Sequence, residues 1–254
     1  YDGTSAGFRF TKYNEMIKGF LFDYGATLDT AGCHWGQMLW GAWQRCGVMV
    51  TEEQFRDAYV YGERTLGSNN IIKPSDTFRV TLDVKLRLEF EYLKSAGVLD
   101  EDRNSTVLLR ENVLNDVYRR VVDTTKESCF VLERLHQNYE MVLVSNFYGN
   151  IRTVLREFGL DVFFKDIVES AEVNIRKPDP RIYEIGVERL GLRPDEVVVV
   201  GDSFSKDVVP ARSLGCHTVW LKGKPWKQES IDETVPTRII YSLKELLSLD
   251  FLQQ

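Results

Sequence analysis

The first clear pattern along the chain is a short apolar run, KGFLFD at 18–23, which ends on an acid with Gly25 close behind. Such a run predicts a buried strand opening into a loop. From 35 to 138 the texture changes. WGQMLWGAWQRCG, TEEQFRDAYVYGERTL, DTFRVTLDVKLRLEFEYLKSAG and STVLLRENVLNDVYRRVV repeat apolar residues at spacings of three and four, the mark of amphipathic helices. Thr51 with Gln54 predicts a capping box. Asp76 is expected to cap the next helix and Gly97 to end it. No strand pattern interrupts this stretch, which therefore reads as a helical insertion, with 125–138 a helix returning to a sheet.

From 140 onward strand and helix patterns alternate. MVLVSN (141–146), DIVES (166–170), EVVVVGDS (196–203), CHTVWL (216–221) and TRIIYS (237–242) read as strands. Helices are predicted over 150–158, 180–191 and 205–215, and SLKELLSL closes the chain as a last one. Pro180 and Gly191 punctuate the second of these. Strands alternating with helices imply an α/β fold, a doubly wound parallel sheet covered on both faces. The expected division is an α/β core over 17–30 and 126–254, a helical cap over 31–125 and an irregular arm over 1–16.

Three strands end in polar residues: Asp23, then Ser145-Asn146, then Gly201-Asp202-Ser203. Open α/β sheets bind ligands outside the carboxyl ends of their strands, so these groups can converge on one crevice. Asp23 and Asp202 together suit a hard cation, because Mg²⁺ takes one or two carboxylates with waters and phosphate oxygens.

Composition narrows the picture. Among 254 residues, Lys+Arg number 32 against Asp+Glu 38, a net charge of −6, which argues against a general nucleic-acid-binding surface. The four cysteines, at 33, 46, 129 and 216, form no CxxC pair, so zinc and redox chemistry have no motif. Unpatterned thiols fit a reducing compartment, and the expected location is cytoplasmic. No apolar run approaches the ~20 residues that span a bilayer, so no membrane partner is expected. The chain opens on Tyr1 rather than on a methionine, and its first 18 residues lack the apolar centre of a signal peptide; a removed leader stays open.

Taken together, these loops resemble the haloacid dehalogenase superfamily, whose members are mostly Mg²⁺-dependent phosphatases. The resemblance runs over about 18–221 through four motifs in order: the loop FDYGATLDT with Asp23 and Thr27, the apolar strand ending in Ser145, Lys177 of RKPDP, and GDSFSKD with Asp202 and Asp207. It implies a Rossmann-like core with an inserted helical cap. It also implies that Asp23 attacks phosphorus and forms an aspartyl-phosphate. The amides of Tyr24, Gly25 and Thr27 would cradle the phosphate. Ser145 and Asn146 would bind it, and Lys177 would neutralise charge. Asp23, the Gly25 carbonyl, Asp202 and Asp207 would hold Mg²⁺, with Asp207 acting through water or orienting Lys177. The implied substrate is a small phosphorylated metabolite, with no nucleic acid or membrane partner; the oligomeric state is left open.

One position departs from the pattern. Phosphatases of this family usually carry a second Asp two residues after the nucleophile, as acid and base; here it is Gly25, flanked by Tyr24 and Ala26. Such a group contributes about 10²–10⁴-fold to rate. Three accommodations follow: a good leaving group, a proton donor from the cap such as His34 or an acid, or little turnover in a phospho-ligand sensor or scaffold. Dehalogenation is a third reading, opposed by the retained Asp202/Asp207 pair. Trp35, Trp40 and Trp43 are expected to anchor helix packing, with Trp35 the best substrate wall. Lys73, Lys85 and Lys94 are expected to be solvated.

Overall fold

The computed structural model describes residues 17–99, 103–226 and 231–249. The arm expected over 1–16 lies outside the described residues. Six strands form one parallel sheet: β1 (Gly19–Phe22), β2 (Glu140–Ser145), β3 (Asp166–Glu169), β4 (Val197–Gly201), β5 (His217–Leu221) and β6 (Arg238–Ile240). Their order is β3-β2-β1-β4-β5-β6. The chain moves outward from β1 to β3, then crosses back to β4 on the other side. The order therefore reverses between β1 and β4, where such sheets open a crevice. Phe22 pairs with Leu143 and with Val200, which brings Asp23, the end of β2 and Gly201-Asp202 out at one edge.

The eight helices are α1 (Trp35–Arg45), α2 (Glu52–Ser68), α3 (Phe78–Ser95), α4 (Arg103–His136), α5 (Ile151–Glu157), α6 (Ser170–Val173), α7 (Arg181–Leu190) and α8 (Val209–Ser213) among the described residues. The alternation of the strands splits the core in two. Leu21, Val142, Val144 and Val199 pack on Ile182, Val187 and Leu190 of α7. Phe20, Phe22, Leu143 and Val200 face the other way, into a cluster that runs on to Trp43, Phe55 and Phe90 of the insertion. The 34 residues of α4 span roughly 50 Å and pass unbroken through the expected cap–core boundary at 125/126. Val113, Val117 and Val121 are buried along one part of this helix, and Val131, Leu132 and Leu135 along the other.

The insertion is tied to α5. Asn150 Nδ2 donates to Asp76 O and to Thr81 Oγ1, both at 2.8 Å, and Thr153 Oγ1 donates to Pro74 O at 2.6 Å. Glu157 accepts the Phe78 amide and, at 2.9 Å, the Tyr118 hydroxyl.

Local expectations fare unevenly. The Thr51/Gln54 capping box is present. The cap of α3 is Thr77, whose Oγ1 accepts from Val80 N at 3.3 Å, rather than Asp76. Asp76 is used one turn earlier, where its carboxylate accepts the Lys73 amide at 2.8 Å. The helix expected over 205–215 is a wide π turn, Phe204–Val208, followed by the short α8. Pro210 lacks the N–H that a continuous ladder needs. SLKELLSL forms a 3-10 turn, Leu243–Ser248, too short to sustain an α-helix on propensity alone. No helix among the described residues is long and apolar enough to cross a membrane.

Candidate active site

The loop after β1 folds on itself. Thr27 N and Leu28 N donate to Tyr24 O at 3.2 and 2.8 Å. Ala26 takes the left-handed φ of 65°, uncommon for a residue with a Cβ, and its amide is held by Asp29 Oδ1 at 2.6 Å. The turn leaves Asp23 at the switch point. Its Oδ1 accepts from Lys177 Nζ at 2.6 Å and its Oδ2 from Thr27 Oγ1 at 2.9 Å.

Lys177 also donates to Asp207 Oδ1 at 2.8 Å. Asp207 accepts the Tyr183 hydroxyl at 2.6 Å and the Ser203 amide at 2.9 Å. That placement requires Gly201, because a Cβ there would lie 2.4 Å from Asp207 Cγ. Asn146 fixes the Lys177 backbone from both sides, accepting its N–H at 3.0 Å and donating to its carbonyl at 3.1 Å. Asp202 is anchored by its backbone, with its amide on Thr27 Oγ1 at 3.0 Å and its carbonyl accepting Trp220 Nε1 at 2.7 Å.

Asp23, Thr27, Asn146, Lys177, Asp202 and Asp207 are thus brought together. Three residues expected at the phosphate are absent from the cavity lining, fully buried Thr27 among them. Ser145 is buried at the end of β2 and does not line the cavity, and neither does Tyr24. The Tyr24 ring packs edge-on against Phe147 at 5.7 Å, and its hydroxyl is buried without a hydrogen-bond partner. In the loop, the amides of Ala26 and Thr27 are already donated to Asp29 and to Tyr24 O. Thr27 links the loop after β1 to the loop after β4. Tyr183 and Trp220 carry no sequence signal; only packing brings them to Asp207 and Asp202.

Charge is out of balance in this cluster. Burial pushes Asp23 up to about 6; Lys177 opposes the rise and Asp207 adds to it. Burial, with Asp207 and Asp23 adding repulsion, raises Asp202 well above the usual carboxylate range. Burial alone would lower Lys177, but Asp207 and Asp23 more than offset it and hold the ammonium form. Oxygen atoms of Asp23, Asp202 and Asp207 lie within 4.8 Å of one another. Three carboxylates around one ammonium are a hard-oxygen donor set short of positive charge, which suits a hard divalent cation.

These residues floor a cavity of about 810 Å³, whose opposite wall includes His34, Trp35, Tyr59, Glu63 and Phe78 from the insertion. Trp35 lines it, as expected, and Trp43 is fully buried between Phe55 and Phe90. His34 Nδ1 accepts the Gly36 amide at 3.0 Å, capping α1, and burial pushes the ring down to about 4. His34 is therefore neutral at pH 7.

Lys85 corrects an expectation. It is only 6% exposed, with its ammonium 4.2 Å above the Tyr59 ring, bonded to Glu63 and 3.6 Å from Glu89. The α3 repeat shows that 82, 86, 90 and 93 face inward; that α2 covers the flanking positions 85 and 89 is not in the repeat. Glu89 is fully buried, neither oxygen has a hydrogen-bond partner, and burial pushes it up to about 7 from 4.5. The folded state therefore holds a proton that the unfolded state has lost between those values. Its contribution is fully present below about pH 4.5 and is lost as pH rises through about 7. Glu89→Gln is expected to stabilise the protein at pH 8, by up to about 3 kcal/mol, and much less at pH 5. Thermal melts at the two pH values check this; the same offset at both rejects it.

Comparison with known proteins places these features. The family profile of haloacid dehalogenase-like hydrolases matches residues 49–215. Haloacid dehalogenase-like hydrolase domain-containing protein 3 of Danio rerio is 36% identical over 124 residues, 49% of this chain and 49% of that protein. Glyceraldehyde 3-phosphate phosphatase of Methanocaldococcus jannaschii is 38% identical over 96 residues, 37% of this chain and 41% of that protein. The chain spans about half the length, or less, of these curated relatives. The crystal structure of an L-2-haloacid dehalogenase superposes with a TM-score of 0.60 over 94% of this chain and 100% of that one, at 16% identity. That likeness is one of fold.

Proposed function

The chain belongs to the haloacid dehalogenase-like hydrolases, and from that premise we propose that it is a Mg²⁺-dependent phosphatase of a small phosphorylated metabolite, working through an aspartyl-phosphate on Asp23. The observation that carries the reading is the Lys177 ammonium bonded at once to Asp23 and Asp207, at 2.6 and 2.8 Å, beside the third carboxylate of Asp202. A phosphatase among the relatives supports it. The free state of all four cysteines supports a reducing, cytoplasmic location.

Asp23, Asp202, Asp207 and the Gly25 carbonyl would hold Mg²⁺. When bound, the ion supplies charge compensation for the phosphoryl oxygens. The chain's own residues do the rest. A carboxylate oxygen of Asp23 attacks phosphorus as the ester bond breaks, and water later attacks the same phosphorus as the bond to Asp23 breaks. Lys177 lowers the repulsion between Asp23 and the incoming dianion. Asn146, Asp207 and Tyr183 keep Lys177 in place. The residues of 31–125 act as a cap whose aromatic wall excludes water from the bound phosphate.

The test is phosphate release from p-nitrophenyl phosphate by the purified chain. Release that requires Mg²⁺ and stops with EDTA is expected; none under either condition overturns the reading. The lack of an acid at Gly25 favours a second reading, a phospho-ligand sensor, for which Mg²⁺-dependent binding without release is the signature. Metal-independent halide release would point to dehalogenation. A Cβ built at Gly25 meets only Trp35 Nε1, at 4.0 Å, so a Cβ is accommodated there without a clash. Gly25→Asp is expected to raise alkyl phosphate hydrolysis by about 10²-fold. An unchanged rate would mean that proton supply does not limit this site.

A further inference from the structure

The roof of the cavity carries polar groups that the scheme above does not use. Glu63 of α2 and His34 at the start of α1 both line the cavity that holds Asp23. Glu63 is anchored from beneath and open above. Lys85 of α3, itself buried, bonds its carboxylate, and the Tyr148 hydroxyl donates to its Oε2 at 3.2 Å from the loop after β2. The Glu63 side chain is nevertheless 38% exposed. Burial alone would raise this carboxyl, but Lys85 and Tyr148 more than offset it and hold it below the ordinary carboxylate range, so it is ionised at neutral pH. Burying Lys85 and Glu89 costs stability. What that burial delivers is a charged acceptor fixed in the roof.

The tautomer of His34 is fixed as well. Its Nδ1 accepts the Gly36 amide at 3.0 Å, so the neutral ring carries its proton on Nε2. That N–H has no hydrogen-bond partner among the described residues. The ring stacks on Trp226 at 5.5 Å and lies 6.4 Å from Tyr59, the ring over which the Lys85 ammonium sits. His34 and Glu63 are close enough that each shifts the other's titration. One donor and one acceptor are thus presented to the same part of the cavity. The loop after β2 ties this pair to the floor, because Asn146 fixes Lys177 and, two residues on, Tyr148 fixes Glu63.

A hydroxyl meets both needs, donating to Glu63 and accepting from His34. An anion would meet Glu63 as a like charge. An ammonium cannot accept from His34, and Lys206, whose charge reaches His34 from the loop after β4, opposes it. An apolar end would bury both groups unpaired. We propose that Glu63 and His34 bind a hydroxyl at the far end of the substrate, which makes the substrate class phosphate esters of polyols or sugars. The inference rests on the phosphatase reading, which sets the phosphate on the floor. Glu63 and His34 are specificity residues, and no bond to phosphorus depends on them.

Binding reads this role without involving the leaving group. The experiment measures Ki against p-nitrophenyl phosphate hydrolysis with Mg²⁺ for two pairs of inhibitors: glycerol 3-phosphate with n-propyl phosphate, and sorbitol 6-phosphate with n-hexyl phosphate. The members of a pair differ in hydroxyls and not in chain length. The polyol phosphate is expected to bind about 10- to 10²-fold more tightly in at least one pair. Glu63→Gln and His34→Asn are each expected to cut that preference by about 10-fold. Asn is itself a good N-cap, so His34→Asn keeps a cap on α1 while removing the Nε2–H. Equal or weaker binding of the polyol in both pairs overturns the proposal, as does a preference that either folded variant leaves unchanged. Should one variant not fold, the wild-type pairs and the other variant decide. If the wild type releases no phosphate from p-nitrophenyl phosphate with Mg²⁺, the phosphatase reading itself has failed. The same preference is then read as a ratio of Kd by calorimetry with Mg²⁺, and its absence there overturns the role of Glu63 and His34 separately.

Discussion

Asp23→Asn is expected to lower phosphate release by about 10⁴-fold or more and to erase any phosphoenzyme trapped by acid quench. An amide is too weak a nucleophile to attack phosphorus, and no second carboxylate among the described residues is placed to replace it. Asp202 lies one residue beyond β4 and Asp207 is bound to Lys177, Tyr183 and the Ser203 amide. The fold should survive the change. Burial already raises Asp23 to about 6, so its ionised form is unfavourable in the folded state, and Lys177 keeps its bond to Asp207. The melting temperature of Asp23→Asn is therefore expected to equal or exceed that of the wild type at pH 8. Retained turnover, or a phosphoenzyme that persists, would remove Asp23 as the nucleophile. A collapse in melting temperature would mean that the carboxylate holds the loop together, and that the loss of rate says nothing about chemistry.

Lys177→Met should do the opposite, harming both stability and rate. The side chain is 2% exposed and is the sole ammonium bonded to Asp23 and Asp207 among the described residues. Removing one partner of a buried ion pair costs about 3–5 kcal/mol, because the charges left behind have neither water nor a counterion. The loss carries its own signature. Asp23 is raised even with Lys177 present, and without it the carboxylates bind protons more readily still. A raised carboxylate adds stability at low pH that is lost as pH rises through its folded value. The deficit of Lys177→Met should therefore be larger at pH 8 than at pH 5. Mg²⁺, which binds the folded state, should recover part of it in proportion to the logarithm of its concentration. Chemical denaturation at both pH values, with EDTA and with Mg²⁺, checks the prediction. A deficit indifferent to pH and to Mg²⁺ would assign Lys177 to packing rather than charge.

The two variants change positions 23 and 177, which lie far apart along the chain yet meet each other and Asp207, and that separation shows how the information is divided. Each strand carries its own evidence: the fully apolar VVVV before Gly201, or GFLF before Asp23. Each loop carries its polar terminus. A parallel sheet and its crevice follow from the alternation of patterns, because only that arrangement buries both faces of such strands. The capping box at Thr51 was legible for the same reason, since its partners lie three residues apart.

What depends on the company a residue keeps was not legible. Asp76 and Thr77 are both good cap residues, and the turn that recruits Asp76 decides between them. Lys85 and Glu89 look like solvent-facing charges until α2 covers them. Asp29 stands in plain sight in the loop FDYGATLDT, yet its raised affinity for a proton comes from burial and the nearness of Asp23, which outweigh the hydrogen bonds from Ala26 and Trp35, and only the folded chain supplies these. Periodicity and turn chemistry are short-range, so the chain by itself determined its fold class, its family and the loops that meet at the crevice. Burial and charge–charge coupling are properties of the assembled volume, so only the tertiary structure decided which acids keep their protons, which lysine is shared between carboxylates, and what stands beside the space at Gly25.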